Sequence, residues 1–351
     1  MANRRNIILA DCEEEEIQEF AAGMQEFFGE AFDVRSKICN GGHGKWNNMK
    51  RYFTYFIYPF HFAHHCQSFN YVIGWQQFFA LFYAFYCRLL QKEKCNAVVV
   101  VNFTYKKKSG WMGYWYKKWM VFCLQSKYLD YIHVPSWNYA ELCAQEFHLP
   151  KSKFIVTHFG LPDTYSKWKD SKVEYNNYSF SIGRSNRDFE FLVDAWRKMP
   201  EDEILVIASD TFHPKAAFPP NVIHRKDITG DRQFPYIANC KMMIIPILDG
   251  TICSGDTVLL KAMSYEKLVV VTVPSTLGEM YIEDGVDGVL VEKDNIKFQS
   301  VVSRLLMDNK TRLCIAQRAR IKYLDSFSRF SMGKSIINQI KNGTDFGKGE
   351  S

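Results

Sequence analysis

Short apolar runs alternate with longer segments whose apolar positions recur at helical spacing, and the alternation runs nearly the whole length of the 351-residue chain. In the first half, residues 6–10, 32–39, 71–73, 97–101 and 131–134 read as strands. Residues 13–28, 51–64, 76–90, 111–124 and 137–147 read as helices. The second half repeats the logic. Strands are expected at 178–182, 204–208, 221–224, 242–246 and 268–271, and helices at 188–198, 233–239, 299–307, 311–324 and 330–340. Strands that alternate with helices predict parallel, doubly wound sheets, so the fold class is α/β. A polar stretch poor in aliphatics, 165–178, sets a boundary between domains 1–164 and 165–327, and 343–351 reads as a disordered tail.

Composition adds limits. Hydrophobic residues make up 47%, ample for two cores, and a net charge of +6 is too mild to imply an extended nucleic-acid footprint. The ten cysteines have neither CxxC pairs nor a zinc spacing, which favours reduced thiols. The opening run 7–10 is too short for a signal peptide, and 69–90 is interrupted by Gly74, Gln76, Gln77 and Arg88, so a strand, turn and buried helix fit it better than a membrane span. Neither half contains GxGxxG. GGHGK at 41–45 fails as a Walker A loop because Cys39 and Trp46 stand where Gly and Ser/Thr are needed.

The most informative block is 254–288. Ser254 is expected to cap a helix whose apolar face is Val258, Leu259, Ala262 and Met263, with Gly255 admitting a ligand close to the backbone. The unpaired amides of a start spanning Ser254, Gly255, Asp256, Thr257 and Val258 would attract a phosphate. Farther upstream, FSIGRSNRDFEFL runs from a strand through Gly183 and Arg184 into a helix, with Arg187 following. A guanidinium fork can donate two hydrogen bonds to phosphate oxygens.

Taken together, SGDTVLLKAM and GRSNR resemble the donor-binding segments of retaining glycosyltransferases of family 4, in particular those encoded by chlorella viruses. The resemblance implies a GT-B fold, two Rossmann-like domains facing a cleft, with helix 328–342 packing back on the first. It implies a hexosyltransferase moving sugar from GDP-mannose, weakly preferred, or UDP-glucose to a glycan, glycoprotein or lipid-linked acceptor. Arg184 matches the arginine of the family's diphosphate grip, and Arg187 replaces its lysine. Asp227 and Ile228 fall in the loop that lies along the nucleotide base. The two usual glutamates are replaced by Cys253 and Lys261, so Asp249 or Asp256 is a candidate for the missing carboxylate, and Glu279 lies on the helix before IEDG. Restoring glutamate at Lys261 is expected to keep or improve donor affinity. Asn102 stands where a histidine is common. The alternative is a nucleotide-sugar-binding protein without catalysis.

Three readings remain on the first domain. Gly42 and His43 sit in a loop that could contact acceptor. Trp111 belongs to 105–120, where five lysines interleave with aromatic rings suited to sugar faces or lipid headgroups, a candidate peripheral membrane contact. His61, His64 and His65 fit a core or surface helix better than a metal site, and no DxD occurs, so no obligatory metal or cofactor beyond the donor is expected. A homodimer is compatible with the sequence, nucleic acid is not expected as a partner, and the location read from it is cytoplasmic, in the host if the protein is viral.

Overall fold

A computed structural model describes residues 4–38, 45–252 and 254–342. The chain forms two units: Met1–Pro162 with Ser328–Ser351, and Asp163–Phe327.

In the first unit, β1 (Arg5–Ala10), α1 (Glu15–Phe28), β2 (Phe32–Ser36), α2 (Lys45–His64), β3 (Phe69–Gly74), α3 (Gln77–Leu89), β4 (Ala97–Val100), α4 (Gly110–Leu124), β5 (Tyr131–Val134), α5 (Trp137–Phe147) and β6 (Phe154–Val156) follow in order. The strands pair in parallel as β2-β1-β3-β4-β5-β6. Strand order therefore reverses between β1 and β3, and a crevice opens at the carboxyl ends of such a pair. The central strand β4 is wholly apolar on both faces because helices cover both: Val98 and Val100 join one core with α3 and α4, while Val99 joins another with α1. The expected strand 32–39 ends at Ser36, and residues 39–44 lie outside the described residues.

In the second unit, a four-residue α6 (Tyr165–Trp168) precedes β7 (Tyr178–Ile182), α7 (Phe189–Trp196), β8 (Ile204–Ala208), β9 (Val222–Arg225), α8 (Gln233–Asn239), β10 (Met242–Ile245), α9 (Asp256–Ser264), β11 (Leu268–Val273), α10 (Thr276–Tyr281), β12 (Val289–Glu292), α11 (Asn295–Met307) and α12 (Asn309–Ser326). The parallel order β12-β11-β10-β7-β8-β9 puts the second reversal between β7 and β10. Reading the sequence alone missed β12 and α6, since four residues carry too little period to stand out.

The last helix, α13 (Arg329–Asn342), belongs to the first unit and lies against α1. Met332, Ile336 and Ile337 complete a core with Ile17, Phe20 and Met24. Two glycines allow the close approach. A Cβ on Gly23 would stand 2.0 Å from the Phe330 carbonyl oxygen, and one on Gly333 would stand 2.2 Å from that of Phe20. Among the described residues no helix is long and apolar enough to cross a membrane. All eight described cysteines are free thiols.

Candidate functional site

The second unit gathers its candidates at the β7/β10 reversal. Gly183 follows β7, and Arg184 turns outward, its guanidinium held by Asp210 after β8 (Nε to Oδ1 3.0 Å, Nη2 to Oδ2 2.7 Å). Asp210 escaped the sequence reading because its role depends on strand pairing. Next comes Asn186 in the left-handed region (φ 53°), a conformation that Asn tolerates better than most residues. Its side chain clamps the loop after β10: Nδ2 donates to the Asp249 carbonyl and to Ser254 Oγ, both at 2.9 Å, and Oδ1 accepts from the Asp249 amide at 2.7 Å. Nothing in GRSNR marked this residue.

Arg187 then folds back between two glycines. A Cβ on Gly183 would lie 2.8 Å from its Nε, and one on Gly255 would lie 2.4 Å from its Nη2. Its Nε is buried without a partner, and Nη1 donates to the Ser185 and Asn186 carbonyls at 3.3 Å each. Burial lowers the guanidinium pKa to about 10, opposed by the nearby Asp256 carboxylate. The site thus holds a cation with unmet hydrogen-bonding capacity beside the amino end of α9.

The helix start differs from the sequence expectation. Ser254 does not cap it. Gly255 takes the cap position with φ 104°, no side chain caps the helix, and Ser254 Oγ is turned to Asn186 instead. A positive φ is open to glycine at little cost, and it turns the chain before Asp256 begins the helix. Asp256 is exposed and accepts from the Thr257 amide at 2.8 Å, and Val258 follows in the same turn. Asp249, one candidate for the missing carboxylate, closes a turn: its Oδ1 accepts from Thr251 N and Oγ1, which holds its pKa below the usual range. Cys253 lies outside the described residues.

Lys261 is half-buried one turn and a half along α9. Its Nζ lies 5.1 Å above the Phe234 ring, and burial lowers its pKa against the pull of Asp231. In the loop after β9, Asp227 is bound in two places by Arg225 (2.8 and 2.7 Å), which lowers its pKa to about 2, while the Ile228 side chain is buried. Arg225 also pairs with Glu174 and bonds Tyr175 Oη at 3.0 Å. Glu279 is exposed in the first turn of α10 and makes no salt bridge among the described residues.

In the first unit, Asn102 follows β4 with φ 53°, and its amide donates to His133 Nδ1 at 3.1 Å. His133 is fully buried, its Nε2 is 2.9 Å from Thr157 Oγ1, and burial depresses its pKa to about 4. At the β1/β3 reversal, Asp11 Oδ2 accepts from Tyr55 Oη at 2.6 Å and Gln76 Nε2 at 2.8 Å, a cluster assembled from three separated segments. Trp111 stands exposed on α4, and Gly42 and His43 lie outside the described residues. No group of three or more His, Cys, Asp or Glu among the described residues is placed to hold a metal ion.

With this geometry in view, residues 178–308 match the family described as glycosyl transferases group 1. That matched domain lies wholly within the second unit. That domain runs from β7 into α11 and contains both the Arg187 cradle and α9, and it supports a transferase enzyme. Solved structures of similar fold include HepE of Anabaena in complex with UDP and glucose, at 12% identity and a TM-score of 0.53 over 96% of this chain and 100% of that one. A glycosyltransferase from Rickettsia africae follows at 11% identity and a TM-score of 0.59, over 97% and 98%. Sucrose-phosphate synthase from Thermosynechococcus elongatus aligns at 12% identity and 0.53, over 97% and 98%. None of the curated proteins matches the sequence. The fold is GT-B, with two Rossmann-like parallel sheets.

Proposed function

We propose that this glycosyltransferase moves a hexose from a nucleoside-diphosphate sugar to an acceptor hydroxyl with retention, as a family-4 enzyme of the kind chlorella viruses encode. The observation that carries the reading is the Arg187 guanidinium, buried between Gly183 and Gly255 at the amino end of α9. A cation and a helix terminus in one place supply charge and donors to a diphosphate, and such preorganised charge also stabilises the departing phosphate. Arg184 adds a second fork on release from Asp210. In a retaining transfer by internal return the departing phosphate oxygen takes the acceptor proton, so Asn102 and Asp249 are assigned positioning rather than proton transfer.

GDP-mannose is favoured over UDP-glucose on the resemblance alone. A cytoplasmic enzyme touching a membrane through 105–120 fits the exposure of Trp111 (75%) and Trp115 (62%) beside the lysines of α4. The second reading, donor binding without transfer, is favoured by Lys261, which faces Phe234 and places no carboxylate there. Calorimetric titration with a panel of nucleoside-diphosphate sugars, followed by NMR of the product anomer in the presence of acceptor, tests both. Binding with transfer and retained configuration is expected. Inverted product would remove the retaining assignment, and binding without turnover would favour the second reading.

A further inference from the structure

The first unit holds a cavity of about 670 Å³ between α2, α3 and α4 that plays no part in donor binding as described above. Its volume falls within the usual ~300–1,000 Å³ range of ligand sites. Its character changes along its length. At one end are Gln77, which begins α3 directly after β3, and Thr104, which follows β4; their contact (Thr104 N to Gln77 Oε1, 2.9 Å) ties that end to the carboxyl edge of the sheet. Lys106 and Lys108 line it too, the second lying over the Tyr116 ring at 4.4 Å. Tyr55, another wall residue, bonds Asp11 at the β1/β3 reversal. Farther along α3 the walls are rings alone: Phe82 lies 4.7 Å from Trp119 and 5.4 Å from Phe56, and Phe85 continues the same row.

Charge decides what fits. From Asp33 to Asp130 the only acidic residue in between is Glu93, against fourteen lysines and arginines. A second copy docked face to face here would set like charges against each other, whereas an anionic head on a long apolar tail meets lysines at one end and aromatic rings at the other. We propose that this groove binds one phosphate-headed lipid, its hydrocarbon chain lying along the row formed by Phe56, Phe82 and Trp119 and its phosphate at Lys106 and Lys108. Such a pose places the head at the sheet edge where Asn102 lies. Binding itself does not depend on sugar transfer.

Farnesyl phosphate, farnesol and inorganic phosphate, titrated below the micellar range into the full chain with tryptophan fluorescence as readout, provide the test. Farnesyl phosphate is expected to saturate at one per chain, and farnesol to bind about tenfold or more weakly, the scale of a lost charged hydrogen bond. Inorganic phosphate should leave the fluorescence unchanged. The double variant Lys106→Glu/Lys108→Glu, checked by circular dichroism for native fold, should lose that advantage while still binding farnesol. Phe56→Ser, at a half-exposed position, should weaken both lipids. Equal affinity for farnesyl phosphate and farnesol, no effect of the charge reversal, or a dimer that Phe56→Ser dissociates without any lipid binding would overturn the proposal. Because no donor is present, failure here is separable from failure of the transferase reading.

Discussion

Arg187 Nη2 occupies space that a side chain on Gly255 would claim, 2.4 Å from the place of its Cβ. The two residues are 68 positions apart, and each explains the other: the arginine reaches the α9 terminus because residue 255 has no side chain, and the glycine's φ of 104° starts the helix where the guanidinium ends.

Gly255→Ala should therefore mimic Arg187→Ala. An added methyl must push the guanidinium aside and also strain the backbone. Each single variant is expected to weaken donor binding by about 1.5–3 kcal/mol, the scale of charged hydrogen bonds, and the double variant to be little worse than either. Calorimetry on the three proteins checks this. Additive losses would mean that the two residues act separately.

Arg184 behaves differently because Asp210 already holds it in an exposed pair, and such pairs contribute little to stability. Arg184→Ala should leave the urea midpoint within error of the parent and lower donor affinity. Asp210→Asn, which frees the fork, should raise it. Donor affinity unchanged in both would detach Arg184 from the diphosphate.

At Lys261 the structure revises the expectation drawn from sequence. A glutamate there would exchange a cation over the Phe234 ring for a half-buried carboxylate with Asp231 nearby. Lys261→Glu should then bind donor more weakly than Lys261→Ala and unfold at lower urea. A glutamate variant that binds as well as the parent would restore the original reading.

His133 makes a pH prediction. Its folded pKa of about 4 lies below the unfolded 6.5, so between those values the unfolded chain binds more protons. Its contribution is fully present above pH 6.5 and is lost as pH falls through 4, amounting to roughly 3 kcal/mol. Protonation also removes the lone pair on Nδ1 that accepts from Asn102. The urea midpoint should fall over this window in the parent and fall less in His133→Gln, measured by near-UV circular dichroism.

The elements were largely readable from sequence because parallel strands buried on both faces leave unbroken apolar runs such as LVVV at 268–271, and helices such as α1 separate Ile17, Phe20 and Met24 from their glutamates. Arg184 and Arg187 were marked by their place after a strand and a glycine. Asn186, Asp210 and the Asp11–Tyr55–Gln76 cluster were not, since each acquires its partners only when distant segments meet. The Ser254 cap failed for a local reason: a glycine in the left-handed region displaced it by one residue.

The return of α13 to α1 bears on how the protein is made. Synthesis runs from the amino end, so the first unit has all six strands once Val156 emerges, yet Phe20, Met24 and Ile155 stay uncovered until Met332, Ile336 and Ile337 leave the ribosome. At about 5–20 residues per second that interval lasts roughly 9–36 s. The second unit is contiguous and can close within it. The first to begin is therefore the last to finish, and a stop codon after α12 would release a chain with a folded second unit and an open apolar face on the first.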